Sequence, residues 1–179
     1  MKRLAARAGL MALVVGLSVL PTFPAAVTSQ SEPEIRADLD GRPIPAADVG
    51  RYHCEDIDFP RIHCYAIVGD LEWAVARRLA APQPPGPQGA AASTATTYVR
   101  VFADKVFAGA SAYLSTPYDD LSVIGWNDRI SSFQGLGGAG GTFFQHIYRG
   151  GAAYPFNANQ WVTYVGDTYN DTFSSVVPR

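Results

Sequence analysis

The sequence predicts an all-β domain at the C-terminal end of the chain, preceded by a small disulfide-linked segment with a short helix. Three observations carry this reading. After Thr96 the chain is dense in aromatic, Gly and β-branched residues, which is strand-and-turn chemistry. Within those last residues two short motifs recur in the same order. Ahead of them lie two Cys and one stretch of helical periodicity.

Taken in chain order, Lys2, Arg3 and Arg7 form a basic start, followed by an apolar run over residues 10–20 and small residues at Ala25, Ala26, Thr28 and Ser29. That is the anatomy of a cleaved export signal, here residues 1–28. Pro21 and Pro24 interrupt the run before it reaches a comfortable membrane span. The protein is therefore expected to be secreted or extracytoplasmic, with no membrane attachment after cleavage. Residues 29–50 are polar, with Pro33, Pro43 and Pro45 and no periodicity, and read as a disordered lead. Residues 51–81 read as a small Cys-containing segment. Its Leu71, Val75 and Leu79 lie at i, i+4 and i+8 behind Asp70 as a candidate N-cap, which predicts a short amphipathic helix. Residues 82–95 are a Pro, Gly and Ala linker, and residues 96–179 form the β domain.

Cys54 and Cys64 are the only cysteines. In an exported protein an even pair predicts a disulfide, and so short a loop stabilises by about 2–3 kcal/mol in the chain-entropy model. Each Cys follows a His, so His53, Cys54, His63 and Cys64 also supply the ligand types of a zinc site. Adjacent strand residues point to opposite faces, which sets those pairs against convergence.

The repeat is the informative part. Phe102-Ala103-Asp104-Lys105-Val106-Phe107-Ala108-Gly109 is matched by Phe143-Phe144-Gln145-His146-Ile147-Tyr148-Arg149-Gly150, both aromatic-x4-aromatic-x-Gly. Downstream, Trp126-Asn127-Asp128-Arg129-Ile130-Ser131-Ser132 is matched by Tyr169-Asn170-Asp171-Thr172-Phe173-Ser174-Ser175. The first motif predicts a strand folding into a tight hairpin, with paired aromatics and a Gly at a special backbone position. The second gathers amide, carboxylate and hydroxyl oxygens in one loop, a ligand set for a hard cation such as calcium. A lone loop of this kind is ordinary Asx-turn chemistry. Two copies in register favour a metal.

At this point the chain resembles the βγ-crystallin superfamily over residues 96–179, with Greek keys at about 96–136 and 140–179. The resemblance implies a Greek-key β-sandwich of about eight strands, with two calcium sites shared between the motifs. It implies side-chain ligands at Asn127, Asp128, Ser131, Asn170, Asp171 and Ser174. Backbone carbonyl ligands are implied at Arg129, Thr172, Ala103 and Phe144. Ser132 and Ser175 are implied to hold the folded hairpins.

Several function classes are set aside. A formal net charge of -2, without a basic cluster, argues against nucleic acid or anionic membrane as the principal partner. His53, His63 and His146 are the only histidines, and the acidic groups Glu55-Asp56-Asp58 and Asp119-Asp120 read as solvated loop charges. Residues 135–141 (GLGGAGG) lack the context of a phosphate cradle and read as the linker between the two keys. No enzyme is expected. The first reading is a secreted calcium-binding module, acting as a stress, envelope or matrix component with an unknown extracellular or envelope partner. The alternative is a protein-binding scaffold such as a protease inhibitor.

Overall fold

Two sheets meet over an aromatic core in the computed structural model, which describes residues 34–80 and 97–179. Residues 1–28, expected to be an export signal, and residues 82–95, expected to be a linker, lie outside the described residues. In chain order the elements are β1 (Arg36–Leu39), β2 (Arg42–Ile44), β3 (His53–Glu55), β4 (Arg61–Tyr65) and α1 (Val68–Ala80). There follow β5 (Tyr98–Asp104), β6 (Ala108–Leu114), β7 (Ser132–Leu136), β8 (Gly141–His146), β9 (Gly150–Phe156), β10 (Trp161–Val162) and β11 (Ser175–Pro178). Apart from α1, the regular structure among the described residues is strands and short 3-10 segments.

One sheet runs β10-β7-β5-β6-β3-β4-β1-β2 and the other β11-β8-β9. The crossing of strands between them is what makes residues 97–179 a pair of Greek keys. β10, from the second key, pairs antiparallel with β7 of the first, Trp161 opposite Gln134. In return Tyr118 of the first key bridges Val176 in β11, with both backbone hydrogen bonds at 2.9 Å. Seven strands and this bridge occupy the places of the eight strands expected. Phe133, Phe143, Phe156 and Phe173 fill the space between the sheets, with ring centroids 4.9–5.2 Å apart in the contacting pairs. Each such pair adds about 0.5–1.5 kcal/mol beyond area burial.

The region ahead of the linker departs from the sequence reading. Residues 36–44 form β1 and β2, and Ala46–Arg51 is a 3-10 turn, so the described part of the supposed disordered lead is ordered. The segment that follows, whose place the sequence leaves open, is joined to the β domain. β3 pairs parallel with β6, Cys54 opposite Ala112, and so extends the sheet of the first key. Cys54 and Cys64 face each other across the antiparallel β3–β4 pair and are joined by a disulfide. The sulfurs are thereby committed, and the histidines diverge. His53 Nδ1 lies 3.1 Å from the Ser111 hydroxyl, and His63 Nδ1 lies 2.9 Å from Asp38.

The helix is longer than predicted and Asp70 falls inside its first turn. Leu71 and Val75 are buried against Tyr98 and Tyr113, whereas Leu79 is 43% exposed. Polar ties complete the docking: Arg100 donates to Glu72 at 3.0 Å, and Arg78 bonds Asp58.

A second correction concerns the acidic cluster. Glu55 is 0% and Asp56 1% exposed. Asp56 accepts hydrogen bonds from the Ser115 amide at 2.6 Å and the Tyr118 hydroxyl at 3.0 Å, so it pins β3 to the residue that bridges the sheets. Glu55 accepts from the Ile57 amide at 2.8 Å, and its other oxygen makes no hydrogen bond, lying 3.3 Å from the Arg78 guanidinium.

The two keys treat their outer edges differently. β6 is covered by β3, with the Asp56 amide donating to the Tyr113 carbonyl at 3.1 Å. The counterpart of β6 is β9, and the counterpart of Tyr113 is Pro155, since Arg100↔Tyr113 and Thr142↔Pro155 are equivalent pairs. Pro155 thus stands where an outward N–H would point. A proline there leaves no donor for a foreign strand, a common guard for an open edge.

Burial drives the Glu55 carboxyl up to about 7, reinforced by Asp58 and Asp56 and opposed by the Ile57 amide and Arg78. Burial likewise lifts Asp56 to about 6, against hydrogen bonds from Ser115 and Tyr118. A carboxyl whose pKa rises on folding binds more protons folded than unfolded, between its ordinary value and the raised one. Stability therefore falls as pH rises through that window, here from about 4.5 to 7. In chelator, the urea midpoint of the protein should be higher at pH 5 than at pH 7.5, and Glu55→Gln should flatten the difference. A midpoint that climbs with pH over this range contradicts the burial of these two acids.

Candidate metal centre

The two repeated hairpins fold back by the same device. β5 ends in Asp104 and turns through Val106 and Phe107, at φ 57° and 60°; β8 ends in His146 and turns through Tyr148 and Arg149, at φ 55° and 62°. Gly109 and Gly151 follow at φ 76° and 73°, and an added Cβ on Gly109 would come within 2.4 Å of the Asp104 carboxylate. Only glycine takes that conformation without strain.

These equivalences set the hairpin repeat at 42 residues, one more than the sequence match. The second-copy counterparts of Phe102, Phe107 and Gly109 are Phe144, Arg149 and Gly151. Phe143 satisfies the aromatic pattern in sequence but points the other way, into the core, where it is 0% exposed. In the first hairpin Phe102 and Phe107 pack at 5.4 Å, and Phe107 meets Trp161 at 6.0 Å. In the second the aromatic is replaced by Arg149, which donates to Asp119 at 2.9 Å.

Each hairpin is clasped by a buried serine. The Ser132 hydroxyl donates to the Asp104 carbonyl at 2.6 Å and accepts from the Phe107 amide at 3.1 Å. Ser175 does the same with His146 at 2.8 Å and Arg149 at 3.1 Å. The preceding serine is fixed by a strand rung: the Ser131 amide donates to Phe102 at 3.0 Å and the Ser174 amide to Phe144 at 2.9 Å. The Phe144 carbonyl is therefore a rung acceptor, equivalent to Phe102. The residue equivalent to Ala103 is Gln145, whose carbonyl accepts from the Ser174 hydroxyl at 2.9 Å. The carbonyl expected at Phe144 moves to Gln145.

The loops then cross. The Asp128 amide donates to the Phe173 carbonyl at 3.0 Å, and the Asp171 amide to the Ile130 carbonyl at 3.3 Å. Each aspartate is thereby set against the residue before the other loop's first serine. Two clusters result. The first holds Ala103 and Ser131 of the first key with Asp171 of the second, and the Ser131 hydroxyl donates to Asp171 Oδ1 at 3.3 Å. In the second the Ser174 hydroxyl meets the Gln145 carbonyl, and the Asp128 amide of the first key bonds the residue just before Ser174. Arg129 and Thr172 follow the two aspartates in chain.

Asp128 and Asp171 adopt left-handed backbone, φ 54° and 53°, which aspartate tolerates better than most residues. Their carboxylates take hydrogen bonds from the neighbouring amides, Asn127 at 2.7 Å and Asn170 at 2.6 Å. That leaves the asparagine oxygens facing elsewhere, and Asn170 Oδ1 is buried with no hydrogen-bond partner. An orphaned buried acceptor costs about 1–3 kcal/mol unless something satisfies it. A cation does so as well as a donor. Among the described residues no group of three or more His, Cys, Asp or Glu side chains is placed to hold a metal ion. Each cluster instead offers one carboxylate with hydroxyl and carbonyl oxygens, the donor chemistry of calcium rather than of zinc or copper.

No protein-family model and no curated protein sequence matches the chain. Among solved structures, the chain is similar to a double mutant of a βγ-crystallin domain from Clostridium beijerinckii, with 26% identity over 45% of this chain and 94% of that one, at a TM-score of 0.41. It is similar also to a βγ-crystallin domain from Flavobacterium johnsoniae, at 27% identity, 45% and 92% coverage and a TM-score of 0.40. A βγ-crystallin from an archaeon is matched at 21% identity, 47% and 99% coverage and a TM-score of 0.40.

Removing the clasp tests the hairpin geometry apart from any ion. Ser132→Ala orphans the Phe107 amide and the Asp104 carbonyl, at roughly 1–3 kcal/mol for each group left unpaired. Ser175→Ala should cost a similar amount. Urea unfolding in chelator measures both, and a loss under about 0.5 kcal/mol in either would mean that its hairpin does not depend on the clasp.

Proposed function

We propose that residues 97–179, a domain of βγ-crystallin type, bind two calcium ions at the crossed loops and are stabilised by them. The observation that carries this is the pairing of Asp171 with Ser131 and of Ser174 with the Gln145 carbonyl. The first brings a hydroxyl and a carboxylate from the two keys together, and the second brings a hydroxyl and a carbonyl together at the equivalent place. The side chains that would hold the ions are Asp128, Asp171, Ser131 and Ser174, supported by Asn127 and Asn170. The carbonyls of Ala103, Gln145, Arg129 and Thr172 would complete the shells. An ion at either place ties one key to the other, because its ligands come from both.

One carboxylate per site is a modest charge count. It corresponds to dissociation constants of roughly 10⁻⁵ to 10⁻³ M, the range of extracellular modules. That range fits the export signal read at residues 1–28, since calcium outside the cell reaches millimolar levels. The protein is then an exported, non-enzymatic module of a stress, envelope or matrix kind, whose partner is calcium and whose further partner is an extracellular or envelope component. The inhibitor alternative is not favoured by the disulfide-braced segment. Cys54 and Cys64 belong to sheet strands, and the turn between them is anchored by Asp56 on Ser115 and Tyr118 rather than projecting.

Calorimetric titration of the purified protein should give two binding events. Ligand in hundredfold excess over its dissociation constant adds about 2.7 kcal/mol of stability per site, so thermal melting should shift upward in millimolar calcium. Asp128→Ala and Asp171→Ala should each remove one event and part of the shift. No heat and no shift would leave the loops as turn chemistry.

A further inference from the structure

We infer that Gln145 is a positioning residue that couples the two ion positions, so that calcium fills them with positive cooperativity. This rests on the calcium reading above. Gln145 is the one residue here with a foot in each cluster. Its carbonyl belongs to the second cluster, where it accepts from the Ser174 hydroxyl at 2.9 Å. Its side-chain amide reaches the other way, donating to the Thr172 hydroxyl and the Thr168 carbonyl, both at 3.2 Å. Thr168 and Thr172 bracket the stretch that contains Asn170 and Asp171. Asp171 is the carboxylate of the first cluster, held to Ser131. Thr172 is itself braced, its hydroxyl donating to the Tyr169 carbonyl at 2.9 Å.

The contacts thus form one path: Ser174, the Gln145 backbone, the Gln145 amide, Thr172, Asp171, Ser131. An ion that takes the Gln145 carbonyl as a ligand fixes that backbone. The amide then holds the loop whose carboxylate serves the other ion. The ordering of residues 168–172 is met once, by whichever ion arrives first, and the second ion binds a loop already set. The first key has no reciprocal path, because its equivalent position is Ala103, which has no side-chain donor. The side-chain link between the hairpins and the far cluster is therefore one-sided and runs through Gln145.

Gln145→Ala removes the side-chain amide and leaves the backbone carbonyl in the chain. Stepwise constants from calorimetry, with a competing chelator to define the tighter step, report the interaction between sites. In the wild-type protein the second ion should bind about fivefold or more tighter than independent sites would allow. In Gln145→Ala that factor should fall to near one, whatever the change in overall affinity. Thr172→Val removes one of the two acceptors of that amide and should lower the factor too, which keeps the test valid if either variant folds poorly. The double variant should show no further change. Independent sites in the wild-type protein, or coupling that survives in both single variants, would overturn the inference while leaving two calcium sites in place. A wild-type protein that binds no calcium would overturn both it and the reading on which it rests.

Discussion

Two backbone hydrogen bonds, from the Asp128 amide to Phe173 and from the Asp171 amide to Ile130, hold the two keys in register. Each loop presents its aspartate only because the other loop supplies the acceptor. The strand exchange follows the same reciprocity, with β10 lent one way and Tyr118 the other. Neither key could close its hydrogen bonds alone, because unpaired buried backbone groups are costly. The polar clusters and the aromatic core are thus two faces of one constraint. Where the chains cross, carbonyl and carboxylate oxygens accumulate on the outside and Phe133, Phe143 and Phe173 stack on the inside.

The symmetry is incomplete, and the departures all concern what each key must do next to its neighbours. The first key is built on by β3, so its edge is closed and its Tyr113 and Ser111 lie under α1 and Arg100. The second key keeps an open edge guarded by Pro155. The first hairpin packs Phe107 on Trp161, while the second replaces that aromatic with Arg149 tied to Asp119. At the oxygen clusters the difference is Ala103 against Gln145.

Much of residues 97–179 was legible in the sequence, because its signals are local. The Asn-Asp-x-x-Ser-Ser loops, the Gly of the first hairpin and the aromatic spacing lie within a few residues of one another and read directly. The one-residue slip in the second hairpin has a plain cause. Phe143 and Phe144 are adjacent aromatics on opposite faces of β8, and the pattern was satisfied by the inward one. The signal that distinguishes them is the double glycine, since Gly151 rather than Gly150 takes the left-handed backbone. Residues 34–80 were poorly legible for the opposite reason. Strands of three to five residues carry too little alternation to show a period. The parallel pairing of β3 with β6 also joins positions far apart in sequence. Composition correctly set Glu55 and Asp56 apart as acidic but could not show that Ser115, Tyr118 and Arg78 converge on them.

The most direct test is a calcium titration followed by amide NMR on the isotopically labelled protein. Binding at the crossed loops predicts that the responding amides group into two sets, Ala103–Asp104, Ser131 and Asp171–Thr172 in one, Gln145–His146, Ser174 and Asp128–Arg129 in the other. The amides of Glu55, Asp56 and Asp58 should stay in place. Shifts confined to those acidic residues, or no shifts at all in millimolar calcium, would contradict a metal centre built by the two keys together.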